Sequence, residues 1–344
     1  MARYALLILP SANRVYADAS VALTQAELEV FNCAVLDGRL GDFAAARIGG
    51  VPYVTFAADR IGSRDAALLA NLSSAYALFR IEDDLLRPVA LHPLDRFDDD
   101  LITIQKYQGK TNEQFTKLLL NVTLLSSAFA RDMLERKFSV IDPLCGRGTT
   151  LNQALMYGFD AAGLDLDQKD FEAYSAFIQT WLKRKRVKHH AEHGPVRRDR
   201  RVIARRLQVS LAAAKQDYKA GLTQRLDVVN ADTARALEFF RPATFDLLVA
   251  DMPYGVQHGS RTAAGKLARS PLGLLADAAP AWCALLRSGG ALGLAWNTLL
   301  ARRDEAAGVL AGAGLEVMDS GPYLAFAHRV DQAIMRDILV ARKR

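Results

Sequence analysis

Four aspartates stand where an apolar segment gives way to a turn: Asp142, Asp165, Asp232 and Asp251. The first opens the stretch DPLCGRGTT, which sets Gly146 and Gly148 between the apolar pair Val140-Ile141 and a helix-like run. Glycines after a strand let the backbone come close to a ligand. Two features argue against a phosphate there. No GKS or GKT follows, so this is not a phosphate-binding loop. An acid at the lip of the turn also repels phosphate and attracts an ammonium group. Asp165 closes the next apolar segment, AAGLD, where a carboxylate accepts hydrogen bonds from a ribose diol. Asp232 closes the segment after that, within reach of an adenine amine in such a sheet.

A ligand with an amino-acid end, a ribose and an adenine suits these three acids better than a dinucleotide does. S-adenosylmethionine is that ligand. The motifs agree. DPLCGRGT matches the cofactor motif DPxCGxGT of amino-group methyltransferases, GLDLD matches their ribose-binding segment, and DMPYG at Asp251 resembles their (D/N/S)PP(Y/F) catalytic turn. Over roughly residues 105–344 the chain resembles the class I S-adenosylmethionine-dependent methyltransferases. Among these it is most similar to the tRNA guanine-N2 methyltransferases linked to THUMP domains. The resemblance implies that Asp142, Gly146 and Gly148 face the methionine part of the cofactor, that Asp165 holds the ribose and Asp232 the adenine amine. Phe115-Thr116 resembles a further motif that closes over the methionine end. Asp251, Met252, Pro253 and Tyr254 would be the catalytic turn.

The chemistry fits those residue types. An exocyclic amine is a weak nucleophile because its lone pair is delocalised into the ring. A carboxylate and a backbone carbonyl that accept both N–H bonds localise that lone pair toward the methyl group. Asp251 and the carbonyl of Met252 would be the acceptors, Pro253 would fix the turn, and Tyr254 offers a face for the base to stack on. Met252 stands where many relatives carry proline; a backbone carbonyl is available from either. Pyrimidine carbon-5 methylation needs a cysteine in this motif, and none is present.

The elements that must hold these residues are legible in outline. From Val140 the pattern strand, turn, helix, strand predicts βαβ units and a parallel sheet. Strands are expected over Arg225–Val229, Phe245–Ala250, Ala291–Trp296 after a turn at Ser288-Gly289-Gly290, Leu315–Met318 and Ala333–Val340. A helix through Leu118–Phe129 is capped by Thr111 or Asn112. The fold class is therefore α/β, a Rossmann-like class I methyltransferase sheet over residues 101–344. It is preceded over residues 1–100 by a small α+β module with room for a ferredoxin-like domain, but not also for a THUMP domain. Leu91–Asp100 is the candidate linker.

One segment stands apart in charge. Lys183–Arg206 holds eleven Lys and Arg against Glu192 and Asp199, more positive charge than the whole chain's net +6. Such a cluster suits a phosphate backbone, and it would take over the grip on RNA, tRNA in particular; the alternative is a solvated, partly helical face. His189, His190 and His193 lie within it without a Cys or acid cluster, so no metal site is expected. His328-Arg329-Val330-Asp331 reads as a loop salt bridge or a substrate contact. The three cysteines are scattered and form neither a disulfide framework nor a metal pair, which points to a cytoplasmic protein. No apolar run approaches the roughly 20 residues that span a bilayer, and the N-terminal MARYALLILP reads as a strand. The sequence is silent on oligomeric state. Alternatives to an RNA amine methyltransferase are a DNA adenine-N6 or cytosine-N4 enzyme, a small-molecule N-methyltransferase, and a nucleic-acid-binding protein with a degenerate methyltransferase fold.

Overall fold

Alternation of Tyr4, Leu6 and Ile8 buries one face of the first strand, β1 (Ala2–Ile8), against the helix that follows it. That helix, α1 (Arg14–Val35), starts where the Asn13 side chain accepts from the Val15 and Tyr16 amides. Then come β2 (Gly41–Ile48), β3 (Val51–Ala58), α2 (Ser63–Leu69), β4 (Ala75–Glu82) and β5 (Leu85–Val89). The computed structural model describes residues 1–11, 13–107, 109–254 and 270–344. The first five strands form one antiparallel sheet in the order β2-β3-β1-β4-β5. Without the edge strand β5 this is the split βαβ order of ferredoxin-like folds.

The rest of the chain continues through α3 (Asp100–Thr103), α4 (Glu113–Ser126), β6 (Ser139–Asp142), α5 (Thr149–Met156), β7 (Asp160–Asp165), α6 (Gln168–Arg184), β8 (Lys188–Arg198), β9 (Arg201–Ala212), α7 (Lys215–Lys219) and β10 (Gln224–Asn230). It closes with β11 (Phe245–Asp251), α8 (Pro271–Leu285), β12 (Leu286–Asn297), α9 (Arg303–Gly312), β13 (Leu315–Met318), β14 (His328–Arg329) and β15 (Met335–Lys343). The second sheet runs β13-β15-β12-β11-β6-β7-β10-β9-β8, with β14 paired to β15. Strands β10, β7, β6, β11 and β12 are parallel, and β15 is antiparallel to β12. The order reverses between β6 and β11. In open α/β sheets the crevice at the carboxyl ends of two such strands is where ligands bind, and those ends are Asp142 and Asp251.

Both faces of this sheet are covered, as parallel strands require. Val140, Leu247 and Val249 face α4 and α5 in one cluster; Ile141, Leu248 and Ala250 face α8 in the other. The first cluster also takes in Leu28, Phe31 and Leu69 of the N-terminal sheet's helices. A buried polar seam runs through that junction. Glu27 of α1 accepts from the Ser73 amide and hydroxyl and from Asn121 Nδ2 of α4 at 2.7 Å, and Asn121 Oδ1 accepts from Tyr157. Burial pushes the Glu27 carboxyl above its ordinary range. Residues 91–98 are pinned as well: Leu94 N–H reaches Asn71 and Arg96 N–H the Met156 carbonyl.

Two local readings change. Ser288-Gly289-Gly290 is not a turn ahead of a strand but part of β12, where the pairing with β11 shifts between Phe245 and Leu247. Gly289 takes φ +79°, and a Cβ on Gly290 would lie 2.7 Å from the Asp246 carbonyl, so this is a bulge that only glycines accommodate. The basic stretch is helical only at its start, through Arg184. After the last turn of α6 it forms the hairpin β8–β9, added antiparallel to the β10 edge. Its two-residue tip, Asp199-Arg200, has φ +49° and +64°. The helix expected over Leu118–Phe129 is α4, and its cap is Asn112, which accepts from the Phe115 amide. Among the described residues no helix is long and apolar enough to cross a membrane.

Candidate active site

The glycine turn is tied to the neighbouring strand by two amides. Cys145 N–H donates to the Leu164 carbonyl at 2.9 Å and Gly146 N–H to Asp165 Oδ2 at 2.7 Å. Gly146 sits at φ +49° with open space where a Cβ would be; Gly148 caps α5 at φ +78°, and a Cβ there would overlap the Tyr174 ring. The first glycine thus leaves room for a ligand and the second lets α6 pack against the turn. Cys145 lies under Gly163, whose Cβ would be 2.8 Å from its sulfur. Burial pushes that thiol up, so it is a packing residue rather than a nucleophile.

Two carboxylates end adjacent strands, and a third lies two residues past the end of the next. Asp142 is only 3 % exposed and accepts from the Leu144 amide at 3.0 Å. Burial, reinforced by the charges of Asp251 and Asp165, pushes its carboxyl up to about 7. Asp165 accepts from the Gly146 and Asp167 amides, and burial raises it to about 6. Asp232 accepts from the Ala234 amide and begins a short 3-10 helix one residue beyond the point where the Ala231 amide meets the Asp165 carbonyl. Neither Asp142 nor Asp165 has a Lys or Arg ion pair among the described residues. A crevice with two desolvated carboxyls and no resident cation suits a ligand that brings a positive charge, as the ammonium of S-adenosylmethionine does.

A pH dependence follows. An ammonium beside Asp142 needs that carboxyl ionised, so cofactor affinity is expected to climb as pH rises through about 7, losing up to about tenfold per unit below that. The free protein behaves oppositely. Both folded-state values lie above the ordinary carboxylate value, so their contribution to stability is full below about 4 and is lost as pH rises through 6 to 7. Calorimetric titrations at pH 5.5 and 8, with melting curves at each, check this; pH-independent cofactor affinity would remove Asp142 from the ammonium's surroundings.

The fourth acid lies across the switch point. Asp251 ends β11, and Thr111 Oγ1 donates to its Oδ2 at 2.6 Å while the Tyr254 hydroxyl donates to its Oδ1. Met252 is buried among Leu275, Leu294 and Trp296, and its amide donates to the Ala295 carbonyl at 2.8 Å. Its side chain therefore fixes the turn by packing where proline would fix it by its ring. Among the described residues nothing donates to the Met252 carbonyl. The Arg336 guanidinium lies over the rings of both Tyr254 (4.8 Å) and Phe115 (4.2 Å). Phe115, fully buried, backs the Asp251 turn through that arginine, whereas the Thr116 hydroxyl is engaged with the Asn112 carbonyl at the start of α4. The Gly255 of the motif lies outside the described residues. Sequence reasoning missed the role of Thr111, seen only as a possible helix cap, and missed Arg336 altogether. His328 is buried beside Phe115, and Arg329 donates to the Asp331 carbonyl rather than to its carboxylate. In β8, His190 faces Glu192 and His193 packs on Phe171.

A doubly wound sheet with a glycine turn and three acid-ended strands on one side of its switch point, and an Asp-Met-Pro-Tyr turn on the other, defines a class I S-adenosylmethionine-dependent methyltransferase. Residues 120–289 match the family model UPF0020, described as an RMKL-like methyltransferase domain. The matched span includes Asp142, Asp165, Asp232 and Asp251. Among solved structures it is similar to TrmN from Thermus thermophilus (15% identity, TM-score 0.46, all of both chains covered). It is also similar to magnesium protoporphyrin IX methyltransferase from Synechocystis PCC 6803 with bound SAM (12%, TM-score 0.38, 69% of this chain and 87% of that one). A third is a putative rRNA-methylase from Clostridium thermocellum (12%, TM-score 0.35, 63% and 95%). No curated protein matches the chain.

Proposed function

We propose that this methyltransferase acts on an exocyclic amine of a base in RNA, with guanine-N2 of tRNA as its target. The observation that carries the reading is the Asp251 turn: a carboxylate, and a backbone carbonyl to which nothing donates among the described residues, at the carboxyl end of β11, one strand away from Asp142. The two N–H bonds of the amine would be received by Asp251 and the Met252 carbonyl, with Tyr254 stacked on the base. Before that, the Tyr254 hydroxyl must release Asp251. When bound, S-adenosylmethionine supplies an electrophilic methyl group. With both N–H bonds held, the lone pair of the amine nitrogen would be aimed at that methyl group. Asp251 then lies where it can accept the proton that the amine sheds. Positioning and electrostatics are all that such a transfer asks of the protein.

The β8–β9 hairpin supports RNA as the partner. Arg197, Arg198, Arg200 and Arg201 are exposed at its tip, and of these only Arg198 has an ion pair among the described residues, with Glu238. Changing all four to Ala is expected to weaken RNA binding and flatten its salt dependence, with cofactor affinity unchanged. Titrations at several salt concentrations decide this, and an unaltered slope would mark the hairpin as a solvated face. RNA against DNA is tested by nucleoside mass spectrometry of both from cells with and without the gene. Loss of a methylated base from DNA alone would overturn the RNA reading.

A further inference from the structure

A small pocket opens behind the catalytic turn, lined by Asn13, Tyr16, Lys110, Asn112, His328 and Arg336 among others. It lies where the start of α1, the approach to α4 and strands β14 and β15 meet. Most of its polar groups are engaged. Asn13 caps α1, Asn112 caps α4 and reaches Ser11, and Lys110 pairs with Glu113 and the Ile102 carbonyl. Three are not. Tyr16 Oη, His328 Nε2 and Arg336 Nε are buried atoms without a hydrogen-bond partner, and the fourth such atom among the described residues, Ser175 Oγ, lies elsewhere. The three side chains are 4 to 6 % exposed. Buried polar atoms are ordinarily satisfied, so three orphans at one pocket point to a polar ligand.

Two of them have a fixed sense. His328 Nδ1 is 2.9 Å from the Phe326 carbonyl, which can only accept, so that nitrogen carries the proton. Burial holds the ring neutral, with its titration lowered to about 4. Nε2 is therefore a bare lone pair that can only accept. Arg336 Nε–H can only donate, and no carboxylate pairs with Arg336 among the described residues. The pocket adjoins the Asp251 turn. Thr111, between the lining residues Lys110 and Asn112, holds Asp251; Arg336 lies over Tyr254; and the Asp251 charge bears on the titration of His328.

We infer that His328 and Arg336 are specificity-determining residues that read the ring edge beside the target amine, the histidine accepting from guanine N1–H and the arginine donating to the 6-carbonyl. This rests on the guanine-N2 reading and deepens it. In guanine the 2-amine, N1–H and 6-carbonyl follow one another along one edge. Adenine and 2,6-diaminopurine present the reverse, an acceptor at N1 and a donor at position 6. Such a base would set lone pair against lone pair at His328 and N–H against N–H at Arg336.

The test uses 2,6-diaminopurine, which keeps the 2-amine and inverts the edge. Purified full-length protein and labelled S-adenosylmethionine are offered two synthetic RNA hairpin pools, each with one target base in a randomised loop of A, C and U. One pool carries guanosine and the other the diaminopurine nucleoside. Wild-type protein is expected to prefer guanosine by at least about a hundredfold in kcat/KM, the size of a good paired contact to a base edge. His328→Gln, whose amide can present either sense, is expected to shrink that preference by about tenfold or more, and Arg336→Met likewise. Cofactor titration shows that each variant is folded; the wild-type comparison needs no variant. Equal transfer to both pools by wild-type protein would overturn the edge assignment and leave the guanine reading standing, as would variants that slow both pools alike. Transfer to neither pool, nor to unmodified tRNA transcripts, would overturn the guanine reading itself.

Discussion

Asp251→Ala is expected to lower the rate of methyl transfer by about a hundred- to a thousandfold, the usual loss when one preorganised polar group is taken from a site. Cofactor binding should stay largely intact, because Asp251 lies across the switch point from the glycine turn. Single-turnover rates with saturating cofactor measure the first effect and calorimetry the second. Tyr254 provides the companion test. Its hydroxyl occupies one Asp251 oxygen in this structure, so Tyr254→Phe removes a competitor for the amine while keeping the stacking face. That variant should be mild and Tyr254→Ala severe. If the phenylalanine variant is as inactive as the alanine one, the hydroxyl rather than the ring is what the reaction uses.

Asp165→Ala should weaken S-adenosylmethionine binding by about ten- to a hundredfold, the loss expected when hydrogen bonds to a charged acceptor are removed. The loss has two sources. A ribose diol would lose its acceptor, and the Gly146 amide, now 2.7 Å from Oδ2, would lose its own. Asp165→Asn separates them, since an amide oxygen can still hold the Gly146 N–H. Isothermal titration of both variants checks this; wild-type affinity in Asp165→Ala would take the residue out of the cofactor site.

What was legible in the sequence was local. Each acid follows its own apolar strand within a few residues, and the glycines sit beside the first, so spacing alone announced Asp142, Asp165, Asp232 and Asp251 as a set. The ferredoxin-like order was foreshadowed by the alternation of strand and helix patterns in the first 100 residues. The β8–β9 hairpin was hidden because β8 is exposed along most of its length and carries almost no apolar alternation; only Leu207, Val209 and Leu211 of β9 show the period of two that marks a half-buried strand. The bulge at Gly289-Gly290 read as a turn because the same glycines serve both, and the choice rests on the Asp246 carbonyl beside them. The supports of the Asp251 turn were beyond reach for another reason. Thr111 meets Asp251 from 140 positions away, and Arg336 reaches the Tyr254 ring from β15. Only packing brings them together.

The most direct measurement is to incubate the purified protein with S-adenosylmethionine carrying a deuterated methyl group and unmodified tRNA transcripts, then digest the RNA and identify the labelled nucleoside by mass spectrometry. The expected product is N2-methylguanosine with three deuterons, formed at least about a hundredfold more slowly when Asp251→Ala replaces the wild type. Label on a ring nitrogen, a carbon or a ribose oxygen, or equal label from Asp251→Ala, would contradict amine methylation at this turn.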